Sequence, residues 1–318
     1  MDNLTHSLAG WALGQAGLKT KTRKGLAALI LGANMPDLDV FLGHAPWDPL
    51  AIHRGFTHGL LGGFLVMPPI LAGLLWLLDR WQLSRGVEFR SGLSMHFGWL
   101  LALSYLGTLT HPFLDLLTTY SVQLFSPFSN AWYHSDALFI IDVWVWLVLA
   151  VGIGVSKRRE QQGREWRRLP QIAIGLVLAY ISLNLLISER AYAAVRSWAG
   201  EHQAEAIFAS PPPVTFWRRD LVWREDHCYR RSNYDPLSGG LGGVSACKPS
   251  NMDKLEVRNA IGRDPRLQKF LKWSILPQAD IERDRCSVHV SIGDARYGEG
   301  RRSRLARESV VPTHAPGC

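Results

Sequence analysis

The stretch LLGGFLVMPPILAGLLWLL, residues 60–78, contains no charged side chain. About 20 consecutive apolar residues are needed for a helix to cross a bilayer, so this stretch predicts a membrane span. Residues 93–110, 138–155 and 171–188 predict spans in the same way. Two earlier segments, 4–18 and 26–42, are shorter and fit either spans or re-entrant helices. We therefore expect a membrane-embedded all-α bundle of about five or six hydrophobic helices over residues 1–190.

The mean hydropathy of +0.00 averages two unlike halves. From about residue 190 onward Arg, Asp and Glu are frequent. Residues 214–224 and 286–292 predict strands by their aromatic and β-branched content, and Asp264-Pro265 predicts the start of a helix. We expect a small soluble α+β domain over residues 191–298. The composition of residues 299–318 predicts a disordered tail.

The formal net charge is +8, which could indicate nucleic-acid binding. Much of the positive charge, however, lies in short clusters between apolar segments, which fits the positive-inside rule better. We therefore expect the lipid bilayer as a partner and no nucleic acid, and composition leaves the oligomeric state open. The cytoplasmic clusters would be Lys19, Lys21, Arg23 and Lys24; Arg80, Arg85 and Arg90; and Lys157, Arg158, Arg159, Arg164, Arg167 and Arg168.

The stretch 111–137 has no Lys or Arg, so it should face the opposite, extracytoplasmic side. With six segments, the N-terminus, loop 43–59 and the polar C-terminal half fall on that side too. All four cysteines lie in the polar half and none has CxxC spacing, which disfavours a zinc ribbon. Cys228 and Cys247 could pair in an oxidising compartment, and the sequence leaves the connectivity open.

His111 and Asp115 are spaced i, i+4, so on a helix both side chains can reach one ion. Pro112 would be tolerated in the first turn of such a helix. The two side chains could equally link two helices through hydrogen bonds. Ionisable side chains at the edge of a membrane segment are costly and call for a functional explanation.

Four further side chains of metal-ligating type lie at segment edges. His53 and His58 flank Gly55, and Asp37 and Asp39 follow the helix-breaking Pro36. Each has an ordinary alternative, as a histidine of a surface loop or an exposed carboxylate at a helix end. His6, near the start of the first segment, has the same two interpretations. His134 and Asp136 are weaker candidates, and Asp142 could be an outer-sphere acceptor or a helix-packing group.

Taken together, these side chains come from four segments and should share one face of the membrane. A mixed N/O donor set without thiolates suits zinc, with manganese or iron as alternatives. The number of donors allows one to three ions. Such ions could activate water for phosphoester cleavage. Arg54 could bind a phosphate oxygen or lie at the membrane surface.

Residues 1–142 resemble the YdjM-type family of bacterial inner-membrane, metal-dependent hydrolases. The resemblance is carried by Thr5-His6, Pro36-Asp37-Leu38-Asp39, His53-Arg54-Gly55-Phe56-Thr57-His58, His111-Pro112-Phe113-Leu114-Asp115 and Asp136-Ala137-Leu138-Phe139-Ile140-Ile141-Asp142. Their pattern is similar to that of zinc-dependent phospholipase C and related nucleases, which cleave phosphodiesters. The resemblance implies metal ligation by His6, Asp37, His53, His58, His111 and Asp115, and leaves Asp39 as ligand or outer-sphere residue.

The leading hypothesis is a membrane-bound metal-dependent hydrolase acting on a phosphoester or lipid-linked substrate, with Asp39 or Asp136 as general base. A transporter coupled to metal ions or protons is the second hypothesis, and it predicts ionisable groups throughout the membrane depth. The third is a membrane-anchored scaffold whose C-terminal domain binds a partner. It leaves the His/Asp constellation unexplained.

Overall fold

A computed structural model describes residues 1–42, 54–89, 91–200, 203–298 and 306–312. The chain divides into two compact units. The first comprises the described residues of Met1–Gly43, Ile52–Leu186 and Pro213–Phe216, and the second those of Ile187–Pro212 and Trp217–Cys318. The division between residues 186 and 187 lies close to the predicted boundary at residue 190. A helical N-terminal part is therefore followed by a sheet-containing C-terminal part, as the sequence predicts.

The first unit is built from α-helices. They are α1 (Asn3–Gln15), α2 (Gly25–Asn34), α3 (Met67–Ser84), α4 (Phe97–Leu116), α5 (Val143–Gln161) and α6 (Arg168–Ala199), of which α6 continues into the second unit. A 3-10 helix, Met35–Leu42, follows α2 directly, and a π-helix, Leu60–Val66, leads into α3. The Asp142 carboxylate accepts hydrogen bonds from the backbone N–H groups of Trp144 and Val145 and so caps α5.

Two helices among the described residues are long and apolar enough to cross a membrane, Leu60–Ser84 and Arg168–Ala199. The expected five or six spans are thus too many by this measure. The 13 residues of α1 rise only about 20 Å, against a hydrocarbon core of about 30 Å. The α4 helix is long enough, but its apolar run is interrupted by buried polar side chains that include Ser104, Thr108 and His111.

Close helix packing brings α1 and α4 against α2. A Cβ at Gly10 would lie 2.6 Å from the Leu29 carbonyl oxygen, and one at Gly107 would lie 2.7 Å from the same atom. Only glycine allows this approach, as is common where membrane helices pack. The contact holds the middle turns of α1, α2 and α4 against each other.

The basic loops meet at one end of the first unit. Arg23 forms a bidentate ion pair with buried Asp79, at 2.7 and 2.8 Å. Lys19 pairs with Glu160 at 2.5 Å. Lys19 follows α1 and Arg23 precedes α2, whereas His6 lies in the first turns of α1. The basic cluster and the His/Asp residues therefore lie at opposite ends of the same helices.

The second unit holds two antiparallel sheets. One has the strands β1 (Glu205–Ser210), β2 (Arg219–Glu225), β3 (Cys228–Asp235), β4 (Gly240–Leu241) and β5 (Lys248–Pro249), and the other has β6 (Pro277–Arg283), β7 (Ser287–Asp294) and β8 (Arg307–Pro312). Helices α7 (Leu255–Arg263) and α8 (Pro265–Trp273) contact the second sheet. The predicted strands correspond to β2 and β7, and the Asp264 side chain caps α8 as predicted.

Two features of this unit settle questions that the sequence leaves open. Cys228 and Cys247 form a disulfide, with their Cα atoms 5.6 Å apart. The expectation of a disordered tail after residue 299 is wrong for residues 307–312, which pair with β7 along its length. This edge strand begins with the three polar residues 307–309 and follows an Arg-rich stretch, so composition alone resembles disorder.

Candidate metal centre

Four side chains of the first unit converge on a point near the ends of α2 and α4. One donor atom from each of Asp37, His58, His111 and Asp115 lies within 4.8 Å of the others, which is compact enough for one metal ion. Asp37 comes from the 3-10 helix that extends α2. His111 and Asp115 lie in the last turns of α4. Pro112 therefore lies inside this helix, and not in a first turn as predicted.

The orientation of His111 is set by the backbone of α2. Its Nδ1 lies 2.7 Å from the Ala33 carbonyl oxygen. A carbonyl only accepts, so Nδ1 is the protonated nitrogen and donates to it. The Nε2 atom then faces the cluster and can carry a free lone pair. This is the usual arrangement of a metal-binding histidine held by an outer partner.

His58 is held in the same way by two neighbours. The Thr57 hydroxyl donates to the Asp39 carboxylate, and its oxygen lies 3.0 Å from His58 Nδ1. Because that hydroxyl proton points at Asp39, the His58 Nδ1–H donates to the Thr57 oxygen, and Nε2 faces the cluster. Asp39 thus contacts the cluster through Thr57 and His58, a position that fits the outer-sphere alternative better than that of a ligand.

The atoms that face one another are all acceptors in this arrangement. His58 Nε2 and His111 Nε2 are 3.0 Å apart. Asp37 Oδ1 lies 3.0 Å from His111 Nε2, and Asp115 Oδ2 lies 3.2 Å from His58 Nε2. Lone pairs and carboxylate charges brought this close in a buried site repel each other, and a cation among the four atoms would remove that repulsion. The donor set therefore fits a divalent metal.

Asp115 is the most heavily surrounded carboxylate of the cluster. Both of its oxygens are buried and accept no hydrogen bond from a described side chain, yet His6 Nε2 and Arg54 Nη1 each lie at 3.5 Å. The Met1 amino group is an ion-pair partner too. His6 is buried, stacks on His111 with ring centroids 3.8 Å apart, and has neither ring nitrogen hydrogen-bonded among the described residues.

Two further candidates, Asp136 and Asp142, have other partners. Asp136 is buried but pairs with His134, at 2.9 Å. Asp142 caps α5 and accepts from the Tyr180 hydroxyl at 3.1 Å, which makes it a helix-packing residue. His53 lies outside the described residues.

Sequence reasoning missed the supports of the cluster. Thr57 lies inside the His53–His58 motif, and nothing in its residue type distinguishes it from an ordinary loop threonine. The Ala33 carbonyl has no signal in the sequence at all. Arg54 is buried beside Asp115, which does not fit the alternative of a position at the membrane surface.

A search of curated proteins found no match to this chain, and neither did a search of solved structures. A family model described as YdjM inner membrane protein matches residues 1–191. The match covers more than half of the chain and includes every residue of the cluster. The chain therefore belongs to the YdjM inner membrane protein family.

Proposed function

We propose that this protein is a membrane-bound metal-dependent hydrolase that cleaves a phosphoester, with a lipid-linked phosphoester as the favoured substrate class. The observation that carries the proposal is the set of four facing donor atoms from Asp37, His58, His111 and Asp115. Two histidines and two carboxylates, without thiolate, match the ligand sets of catalytic zinc sites better than those of structural ones.

These four residues would hold the metal, with zinc as the favoured ion and manganese or iron as alternatives. A bound ion of this kind lowers the pKa of water and stabilises negative charge on phosphoryl oxygens. The His6 ring stacks on His111 and offers a further nitrogen donor. The site could therefore hold more than one ion. The number of ions, one to three, is part of the proposal.

Other residues of the chain would bind and position the substrate. The Arg54 guanidinium is buried beside Asp115 and can bind a phosphate oxygen in a site that excludes water. Asp39 acts through Thr57 to hold the His58 ring, so we assign it a positioning role. Asp136 orients His134, which is one-fifth exposed and therefore the better placed of the two to exchange protons with solvent.

We place the cluster at the extracytoplasmic end of a multi-pass inner-membrane domain. The basic loops with Lys19 and Arg23 lie at the opposite end of the same helices, as the positive-inside rule requires. The disulfide Cys228–Cys247 supports an oxidising location for the second unit. Both features favour a substrate that is reached from the outer leaflet.

The test is purification of the full chain in mild detergent, followed by metal analysis and assays on soluble phosphodiesters and phospholipids. We expect bound metal, hydrolysis that stops after chelation, and recovery on adding back Zn²⁺, Mn²⁺ or Fe²⁺. The double variant His58→Ala, His111→Ala should lose both metal and activity. Full activity in that variant would contradict the proposal. Metal uptake into sealed vesicles without any hydrolysis would favour the transporter instead.

A further inference from the structure

An elongated apolar groove of about 250 Å³ lies among helices α1, α4, α5 and α6 of the first unit. Thr5, Ala9 and Leu13 line it from α1, at i, i+4 and i+8, and therefore along one side of that helix. Leu106 and Leu114 line it from α4 over the same number of residues. Eight residues of helix rise about 12 Å, so the groove follows the helix axes for that distance.

One end of the groove adjoins the metal cluster. Thr5 directly precedes His6, and Leu114 directly precedes Asp115. Successive side chains on a helix are rotated by about 100°, so groove and cluster occupy neighbouring faces of the same helix turns. The other end, at Leu13 and Leu106, lies two turns away from the cluster along the two helices.

The groove offers no hydrogen-bonding group. Thr5 and Thr110 are its only polar residues among those that line it, and both hydroxyls are engaged elsewhere. The Thr5 hydroxyl donates to Asp2 and accepts from Trp146 Nε1, and the Thr110 hydroxyl donates to the Gly107 carbonyl. Only methyl groups and aliphatic or aromatic carbon therefore face a bound molecule.

We infer that this groove binds one hydrocarbon chain of the substrate while the phosphoester lies at the cluster. The inference rests on the proposed hydrolase function and names the substrate as an acylated phosphoester. The groove is lined by aliphatic and aromatic carbon and begins beside the cluster, so a hydrocarbon chain attached to a phosphoester at the cluster can lie in it.

Binding in such a groove should depend on the length of the acyl chain of the substrate. Each methylene moved from water to an apolar site changes an equilibrium by about fourfold. With phosphatidylglycerols of increasing short chain length, each kept below its critical micelle concentration, kcat/KM should rise by up to about fourfold per methylene. The rise should stop once the groove is filled.

A matched pair of variants distinguishes an effect of the groove from an effect of the exposed surface of the same helix. Leu178 lines the groove and is 50% exposed, whereas Leu176 on the same helix does not line it and is 56% exposed. Leu178→Trp should narrow the groove, raise KM for the longer chains at least tenfold and change KM for a chain-free phosphodiester much less. Leu176→Trp should behave like the wild type with both substrates.

A binding measurement without turnover tests the groove separately from the hydrolase proposal. The full chain is irradiated with a phosphatidylglycerol that carries a diazirine on one acyl chain, and the labelled peptides are mapped by mass spectrometry. Labelling concentrated on α1 and on α4 at residues 106–114, and reduced by Leu178→Trp only, supports the groove even if no hydrolysis is found. Uniform labelling of all exposed helix faces, or hydrolysis that is independent of chain length, overturns the groove and leaves the hydrolase proposal standing.

Discussion

The Nε2 atoms of His58 and His111 lie 3.0 Å apart, and the Nδ1 atom of each ring is already bound, to Thr57 and to the Ala33 carbonyl respectively. Both rings thus present the same kind of atom to a shared point. The two Nε2 atoms cannot hydrogen-bond to each other when both rings are neutral, because neither has a proton to donate. The arrangement becomes favourable once a cation occupies the point between them.

The first prediction concerns the two histidines. His58→Ala or His111→Ala should weaken zinc binding by more than about 100-fold, since loss of an outer partner alone costs about 10–100-fold. Metal content after dialysis against a zinc buffer provides the measurement. His96→Ala is the matched control, because His96 precedes α4 at its other end. Equal metal content in all three variants would contradict the assignment.

The second prediction concerns the hydroxyl that holds His58. Thr57→Val keeps the shape of the side chain but removes the link between Asp39 and His58, so zinc affinity should fall about 10–100-fold. Thr57→Ser keeps the hydroxyl and should retain most of the affinity. Competition with a zinc-binding dye measures both. If Thr57→Val and Thr57→Ser bind zinc alike, the hydroxyl has no positioning role.

The third prediction connects helix packing with the site. A Cβ at Gly107 would meet the Leu29 and Ala28 carbonyl oxygens, at 2.7 and 3.0 Å. Gly107→Ala should therefore push α4 away from α2 and destabilise the first unit by about 1–3 kcal/mol. It should also weaken metal binding, because His111 lies one turn further along α4.

Gly98→Ala is the control on the same helix. No atom of the described residues lies within 4 Å of a Cβ at Gly98. The substitution should leave stability unchanged or raise it slightly, because alanine favours helix over glycine. Thermal unfolding in detergent, followed by circular dichroism, compares the two. A Gly107→Ala protein as stable as Gly98→Ala would show that the close approach is not required.

The fourth prediction concerns a buried ion pair in the second unit. Asp294 is fully buried, pairs with Arg296 at 2.8 and 2.9 Å, and accepts from Ser274 at 2.7 Å. Asp294→Asn leaves the Arg296 charge buried without its counter-ion, so it should cost about 3–5 kcal/mol. Hydrogen-exchange mass spectrometry of peptides from β6 and β7 reports the loss. Glu256→Gln, which removes an ion pair at the surface, should leave the exchange unchanged.

The same pair predicts a pH dependence. Burial raises the pKa of Asp294, but the charge and hydrogen bonds of Arg296 and the hydrogen bond from Ser274 together lower it by more, so the net pKa lies below its ordinary value of 3.8. A lowered carboxyl pKa stabilises the fold above the ordinary pKa, and the contribution is lost as pH falls through the folded pKa. Protection of β7 should thus be constant from pH 7 to about 5 and fall below about 4. Asp294→Asn should lack the contribution of this carboxyl.

The spacing of residues along the chain predicted part of the site. The i, i+4 relation of His111 and Asp115 holds on α4, and the convergence of His6, Asp37 and His58 with them follows from segment edges and loop charges. The span count was wrong because apolar composition does not reveal how long a helix becomes. Segment 4–18 forms a 13-residue helix whose glycine packs on α2. Asp136 and Asp142 share the motifs of the site, but the folded chain uses one to hold His134 and the other to cap α5.

By itself, the sequence determined the family, the division into a helical and a sheet-containing part, and the residue types that gather at one end of the helices. These depend on hydropathy and spacing, which are local properties of the chain. The tertiary structure decided which nitrogen of each histidine faces the cluster, which carboxylates lie in the cluster and which one contacts it through Thr57, and where the apolar groove runs. Those depend on contacts between distant segments, such as Ala33 with His111, and local sequence carries no record of them.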